Sequence, residues 1–293
     1  MPWWNSYHIA NNLEDALSWL DNAAGEACIL AGGTDLLLDL QQERHPPVEL
    51  LVDVTRISEM NLLELHGDEL FVGAALPLNK LIASPLIKKH AQALLEAGSL
   101  IGGLQVRNTA TLGGNVAHAL PAADGAIALL ALDAQVEVAS LSSRKHLPLG
   151  ELYLGPGRSA LDPKREIIVG FYMQTQRRDQ ASAFKRVMRP QGVAIAILNL
   201  AVWIERAGET VHDVRIAIGP SGLAPRRALS AEKVLKGKQL DTTSIELARL
   251  ALLEEISFRT SPHRATQQYR RHMAGILLEE TLTTAWRRAE KEE

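Results

Sequence analysis

Residues 107–126 read RNTATLGGNVAHALPAADGA. A tight turn needs one glycine. This stretch sets two side by side, between small, partly β-branched residues and a new helical pattern. Adjacent glycines mark backbone that something approaches closely, either another piece of protein or a ligand. A second pair, Gly32-Gly33 in LAGGTDL, follows the apolar run ACIL and precedes the helix-like LLLDLQQ. Each pair follows an extended segment, and each is followed by a residue able to cap or bind locally, Thr34 or Asn115. Backbone N–H groups freed at such turns point outward and bind anions. Two such turns could hold the two phosphates of a pyrophosphate. No lysine stands beside either pair, so neither is a P-loop. A lone Gly-Gly is more often a plain turn. The stretch GPGRSA (155–160) fits G-x-G-x-x-A, but Pro156 and Pro163 deny it the strand–turn–helix setting that a dinucleotide fingerprint needs.

The chain has 293 residues, enough for about two domains. With 22% charged residues and a net charge of −3, it offers no electrostatic case for nucleic acid. One cysteine, Cys28, rules out an internal disulfide and a four-thiolate iron–sulfur site built from this chain alone. It lies in an apolar run and reads as a buried, inert thiol. The N-terminus has no basic region followed by an apolar stretch, so no signal peptide is expected. The longest apolar run, AIAILNLAVWI (194–204), is interrupted by Asn199 and too short to span a bilayer. No membrane span and a cytoplasmic location are the expectations.

Leu13, Ala16, Leu17 and Leu20 recur at helical spacing behind Asn12, a plausible N-cap. ACIL (27–30) and LLVDVT (50–55) read as strands. A second unit starts near Glu59: strand ELFVGA, short helices broken at Pro85, a helix over 91–102, the glycine pair, a helix in AADGAIALLALDA, then strands QVEVASL and EIIVGFYM. The charged run TQRRDQ (175–180) is a candidate linker. After it, SAFKRV, AIAILNLAVWIE and DVRIAIG read as antiparallel strands, followed by helices. In the last helix Tyr269, Met273, Ile276 and Leu277 are expected on one face. Arg264, Arg270 and Arg271 are expected on a solvated or partner-facing surface.

Two polar residues stand out. Asp124 opens a helix ten residues after Gly114. It could accept hydrogen bonds from a ribose or from its own helix N-terminus. Lys185 interrupts an apolar strand pattern, as a lysine snorkelling at a sheet edge or as a cation beside a flavin ring.

Taken in order, LAGGTDLL (30–37), QVRNTATLGGN (105–115), PAADGAIALLALDA (121–134) and YRRHMAGILL (269–278) carry a specific resemblance. The chain resembles the FAD-binding medium subunit of the molybdenum hydroxylases, which include xanthine dehydrogenases and aerobic carbon monoxide dehydrogenases. The stretch VRIAIGPSGLAPRRALSAEKVLKGK (214–238) is similar to the start of that family's C-terminal domain.

The resemblance implies an α+β fold of the vanillyl-alcohol-oxidase type, with two FAD-binding subdomains (1–57 and 58–176). A C-terminal α/β domain (177–293) would add a three-stranded antiparallel sheet and helices. It implies a first phosphate loop at Ile29, Leu30, Ala31, Gly32, Gly33, Thr34, Asp35 and Leu36. A second would lie at Thr111, Leu112, Gly113, Gly114 and Asn115. Asp124 matches an acidic cofactor-binding residue, and Ile168 and Lys185 match positions beside the isoalloxazine ring. Ile101 falls where some members place an aromatic, and Gly192-Val193 where many have an acidic residue and a bulky one.

The implied function is electron transfer. FAD in this chain would take electrons from [2Fe–2S] clusters in a small partner subunit and pass them to an external acceptor. Molybdopterin would lie in a large subunit, in a dimer of heterotrimers. No residue need act as an acid, base or nucleophile, and no metal site is expected in this chain. Two rivals are a self-sufficient FAD oxidoreductase of the same fold and a non-flavin module whose glycines serve packing.

Overall fold

The computed structural model describes residues 2–189 and 195–290. The first segment alternates strand and helix: β1 (Trp4–Ile9), α1 (Leu13–Asp21), β2 (Ala27–Leu30), α2 (Leu36–Gln41) and β3 (Val48–Asp53). Its three strands form a parallel sheet in the order β1-β3-β2. Asn12 caps α1 by accepting from the Asp15 amide at 2.8 Å, and the four apolar residues at helical spacing are the buried ones. Strand β1 had no clear signal in the sequence. Its outward residues Asn5, Ser6 and Tyr7 are exposed, so no apolar run or regular alternation marks it.

The second segment holds β4 (Leu63–His66), β5 (Glu69–Gly73), α3 (Leu78–Ala83), α4 (Pro85–His90), α5 (Gln92–Leu100), α6 (Leu104–Arg107), α7 (Leu112–Ala117) and α8 (Asp124–Ala131). It continues with β6 (Gln135–Ala139), β7 (Arg144–Pro148), β8 (Tyr153–Gly155), β9 (Arg158–Ser159) and β10 (Ile167–Gln174). Five of these strands make an antiparallel sheet, β4-β5-β10-β6-β7. Pro85 opens α4 at its first turn, where a missing N–H costs nothing. The stretch 155–160 belongs to the small β8–β9 hairpin, consistent with its rejection as a nucleotide fingerprint.

The third segment runs β11 (Gln180–Val187), β12 (Leu198–Ala207), β13 (Thr210–Ser221), β14 (Ala224–Arg227), α9 (Leu229–Leu235), α10 (Thr242–Glu255) and α11 (Gln267–Ala289). The antiparallel sheet β11-β12-β13-β14 adds a short fourth strand to the three expected. Alternation along its strands splits it between two cores. Ala181, Ala183, Leu198, Leu200 and Val202 pack under the C-terminal helices, while Phe184, Ala201, Trp203 and Ala217 join the core of the first two segments. The C-terminal sheet is therefore buried on both faces.

Helix α11 departs from expectation in two respects. Leu277 is buried, but Tyr269 and Ile276 are 43% and 38% exposed. The buried stripe is instead Arg270, Ala274, Leu277, Leu278, Thr281, Leu282 and Ala285. The stripe mixes leucines with Ala274, Thr281 and Ala285, and it is rotated from the face on which Tyr269 and Ile276 lie. Arg270, expected on the surface, is 1% exposed. Among the described residues no helix is long and apolar enough to cross a membrane.

Candidate functional site

The two glycine pairs lie side by side. A Cβ on Gly32 would sit 2.7 Å from the Cα of Ala110 and closer still to the carbonyl of Thr109, so the first pair packs against the backbone leading into Thr111–Asn115. From there the contacts continue inward. The Gly113 amide donates to the Ala74 carbonyl at 3.0 Å, and the Ala74 amide to the Val169 carbonyl at 2.9 Å. Ile168, buried on β10 beside Val169, is thereby tied to the second pair.

The pairs differ in what their backbone offers. At the first, Gly33 adopts φ +68°, which favours glycine. The amides of Gly32, Gly33, Thr34 and Asp35 have no acceptor among the described residues. Asp35 precedes α2 without a side-chain cap, and Thr34 caps nothing. Four successive free amides on partly exposed backbone before a helix are donors suited to an anion. Ile29 and Leu30 belong to β2 and Leu36 opens α2, so Ala31–Asp35 is the turn between strand and helix.

At the second pair the expectation of freed amides is corrected. Leu112–Ala117 is itself a short helix, with Gly113 and Gly114 in its first turn. The amides of Gly113, Gly114 and Asn115 already donate to Ala74 O, Thr111 Oγ1 and Thr111 O. Thr111, not Asn115, supplies the cap. Asn115 instead accepts from the Gly125 amide at 3.1 Å, linking α7 to the start of α8. The second pair contributes shape rather than donors. Gly113 is required by the protein, since a Cβ there would meet Ala74 O at 2.5 Å. Gly114 is exposed, and its Cβ would meet only Thr111 Oγ1, at 3.2 Å. Packing explains Gly113, and Gly114 presents a bare face to open space.

Asp124 lies in the first turn of α8 but does not cap it. One carboxylate oxygen takes a hydrogen bond from Arg186 on β11, and the other accepts from Asn199 Nδ2 on β12 at 2.6 Å. Asn199 also donates to the Ala122 carbonyl at 3.1 Å. Burial pushes the Asp124 carboxyl up, against the opposing pull of Arg186 and Asn199. This knot of Asp124, Arg186 and Asn199 pins the C-terminal sheet onto α8. Sequence reading singled out neither Arg186 nor Asn199 as a partner. An asparagine inside an apolar strand was the available signal, because a buried amide demands a partner.

Lys185 stands on the edge strand β11, one residue from Arg186 and on the opposite face. It shares the face of Ala181 and Ala183 beneath α11, is 38% exposed, and reaches Glu280 Oε2 at 3.5 Å. In the chain as it stands, its partner is Glu280 and not a glycine loop. Ile101 ends α5, partly buried, in a loop where Gly102 adopts φ +57°. Arg107 clasps that loop by donating to the Ile101 and Gly102 carbonyls at 3.2 and 2.7 Å. Gly192 and Val193 lie outside the described residues. Two surface hollows, of about 270 and 520 Å³, lie elsewhere, one beside Lys88 and Arg288 and the other along α1. Cys28, on β2, has its thiol pushed up to about 11 by burial and by Glu26.

The arrangement suits a ligand with a phosphate group. The free amides at Gly32–Asp35 are donors, and the exposed Gly114 carries no side chain. The family described as "FAD binding domain in molybdopterin dehydrogenase" matches residues 4–173. The family described as "CO dehydrogenase flavoprotein C-terminal domain" matches 182–285. The chain is 31% identical to the putative xanthine dehydrogenase FAD-binding subunit XdhB of Escherichia coli, over 96% of this chain and 95% of that one. It is 28% identical to the carbon monoxide dehydrogenase medium chain of Hydrogenophaga pseudoflava, over 96% and 97%. The solved carbon monoxide dehydrogenase of Hydrogenophaga pseudoflava that lacks the Mo-pyranopterin moiety superimposes with a TM-score of 0.92 at 28% identity, covering 97% of each chain. The chain belongs to the family of FAD-binding flavoprotein subunits of the molybdenum hydroxylases.

Proposed function

We propose that the chain is the electron-transfer subunit of a molybdenum hydroxylase, holding FAD between an iron–sulfur partner and an external acceptor. The observation that carries the reading is the run of unpartnered amides at Gly32–Asp35 beside the bare face of Gly114. In it, those amides hold phosphate oxygens and Gly114 lets the pyrophosphate approach. Ile29, Leu30, Ala31 and Leu36 shape the first loop, and Thr111, Leu112, Gly113 and Asn115 set the second. Asp124 meets the sugar end, while Ile101, Ile168 and Lys185 border the ring. Bound FAD supplies reversible electron chemistry, and the chain sets its position and surroundings.

In this reading electrons arrive from [2Fe–2S] clusters of a small subunit, because one cysteine cannot ligate a cluster. Molybdopterin and the substrate belong to a large subunit, and the assembly is a cytoplasmic dimer of heterotrimers. Relatives named as a medium chain and as FAD-binding subunits support this. The division at 57/58 and 176/177 is supported by each large sheet being drawn from one segment. The test is to purify the chain alone, reconstitute it with FAD and record its absorption spectrum. Stoichiometric, tightly held flavin is expected. A preparation that stays colourless with excess FAD overturns the proposal.

A further inference from the structure

Arg270 is among the largest fully buried side chains, and among the described residues it forms no ion pair. Its Nη1 donates to the Ile197 carbonyl at 2.5 Å, and its Nε has no partner. Burial lowers its pKa, and the charges that press on it, Arg264 and Arg259, lower it further. The loops on either side converge here. Arg189 donates to the His263 carbonyl, joining the end of β11 to the loop before α11. That loop is closed by the Ser261 amide donating to the Ala265 carbonyl at 2.9 Å. Arg189, Arg259, Arg264, Arg270 and Arg271 form no ion pair among the described residues, although the chain carries more acid than base overall. The first turn of α11 holds no acid either, so its positive end adds to the same field.

Among the described residues no carboxylate acts on Arg270. Residues 190–194, PQGVA, contain no carboxylate. A buried cation without a partner is costly, and proteins keep such groups paired. The corner is therefore suited to an anion from outside the described residues.

We propose that the corner formed by Arg259, Arg264 and the buried Arg270 at the N-terminus of α11 binds a phosphoryl group. Guanidinium forks match phosphate oxygens in pairs, and several cations with a helix N-terminus suit a dianion better than a single carboxylate. Arg189 closes the corner from the opposite loop. The source is either free phosphate or the phosphoryl end of a larger soluble ligand such as a nucleotide.

The test uses the full chain loaded with FAD, in a chloride buffer of constant ionic strength. Inorganic phosphate and 5′-AMP are added separately, and thermal denaturation is followed with flavin absorbance as a check on occupancy. Phosphate well above its Kd is expected to raise Tm by roughly 5 °C over chloride. The exposed double variant Arg259→Gln/Arg264→Gln, which leaves the core untouched, is expected to lose that rise and at least tenfold in affinity. Arg270→Met is expected to make Tm independent of phosphate. A phosphate response matched or exceeded by AMP assigns the site to a larger ligand, and a response to phosphate alone assigns it to the free ion. Equal responses to chloride, phosphate and AMP, or an undiminished response in the double variant, overturn the proposal.

Discussion

Gly32 and Gly114 make opposite predictions when each is replaced by alanine. At Gly32 the new methyl would sit 2.7 Å from Ala110 Cα and closer to the Thr109 carbonyl. Carbon atoms rest at about 3.5–4.0 Å, so main chain must withdraw by roughly 1 Å. Overpacking costs about 1–3 kcal/mol, and rigid backbone obstacles put this site at the upper end. In a chain of this size that is a fall in Tm of roughly 5–10 °C. At Gly114 the methyl meets only Thr111 Oγ1, at 3.2 Å. Alanine in a helix gains about 0.5–1 kcal/mol over glycine. Disturbing the Thr111 cap costs at most about 1 kcal/mol, so the effects nearly cancel. Flavin-free Gly114→Ala should therefore melt within about 3 °C of the parent. Its methyl stands where the pyrophosphate is proposed to approach, however, and FAD affinity should fall at least about tenfold, or about 1.4 kcal/mol. Gly114→Val should abolish binding. The assay pairs thermal melts of flavin-free protein with calorimetric titration of FAD. A Gly114→Ala variant with unchanged FAD affinity would refute that approach, and a Gly32→Ala variant with unchanged Tm would refute the packing argument.

Acid precipitation should release all the flavin as free FAD, since no histidyl or cysteinyl attachment is proposed; yellow colour in the pellet would contradict this. The isolated, flavin-loaded chain should oxidise no purine, aldehyde or N-heterocycle, and co-expression with large and small subunits should restore turnover; activity of the chain alone would favour a self-sufficient oxidoreductase. Cys28 should react with thiol reagents at neutral pH about 100-fold more slowly than an ordinary cysteine, because a thiol raised to about 11 holds that much less thiolate; a rate equal to free cysteine would disprove it. Arg186→Met should destabilise the fold by about 3 kcal/mol, by removing the cation paired with buried Asp124 and leaving its carboxylate only the Asn199 hydrogen bond. A carboxyl whose folded pKa is raised gains stability as pH falls, so denaturant titrations should show the deficit shrinking as the pH is lowered from neutral; a deficit constant with pH would show that Asp124 is not the cause.

The order of elements was legible in the sequence because local rules dictate it. Asn12 and the spacing of Leu13, Ala16, Leu17 and Leu20 define α1, Pro85 separates α3 from α4, and the apolar runs at 166–173 and 198–204 become buried strands. The glycine pairs were visible for the same reason, since glycine is rare where a side chain would serve. Their division of labour was not visible. Only the fold places Ala74 against Gly113, Thr109 against Gly32 and nothing against Gly114, so only the fold separates a glycine needed for packing from one that leaves a face open. The partners of Asp124 were equally hidden. Arg186 and Asn199 lie 62 and 75 residues away and reach it only because β11 and β12 pack on α8. The burial of Arg270 was misread because an arginine beside exposed polar residues looks solvated, and helical periodicity does not say which face meets the sheet. Spacing along a chain determines which side chains share a face. What that face meets, and therefore whether a charge is paired, is decided by contacts between segments far apart in sequence.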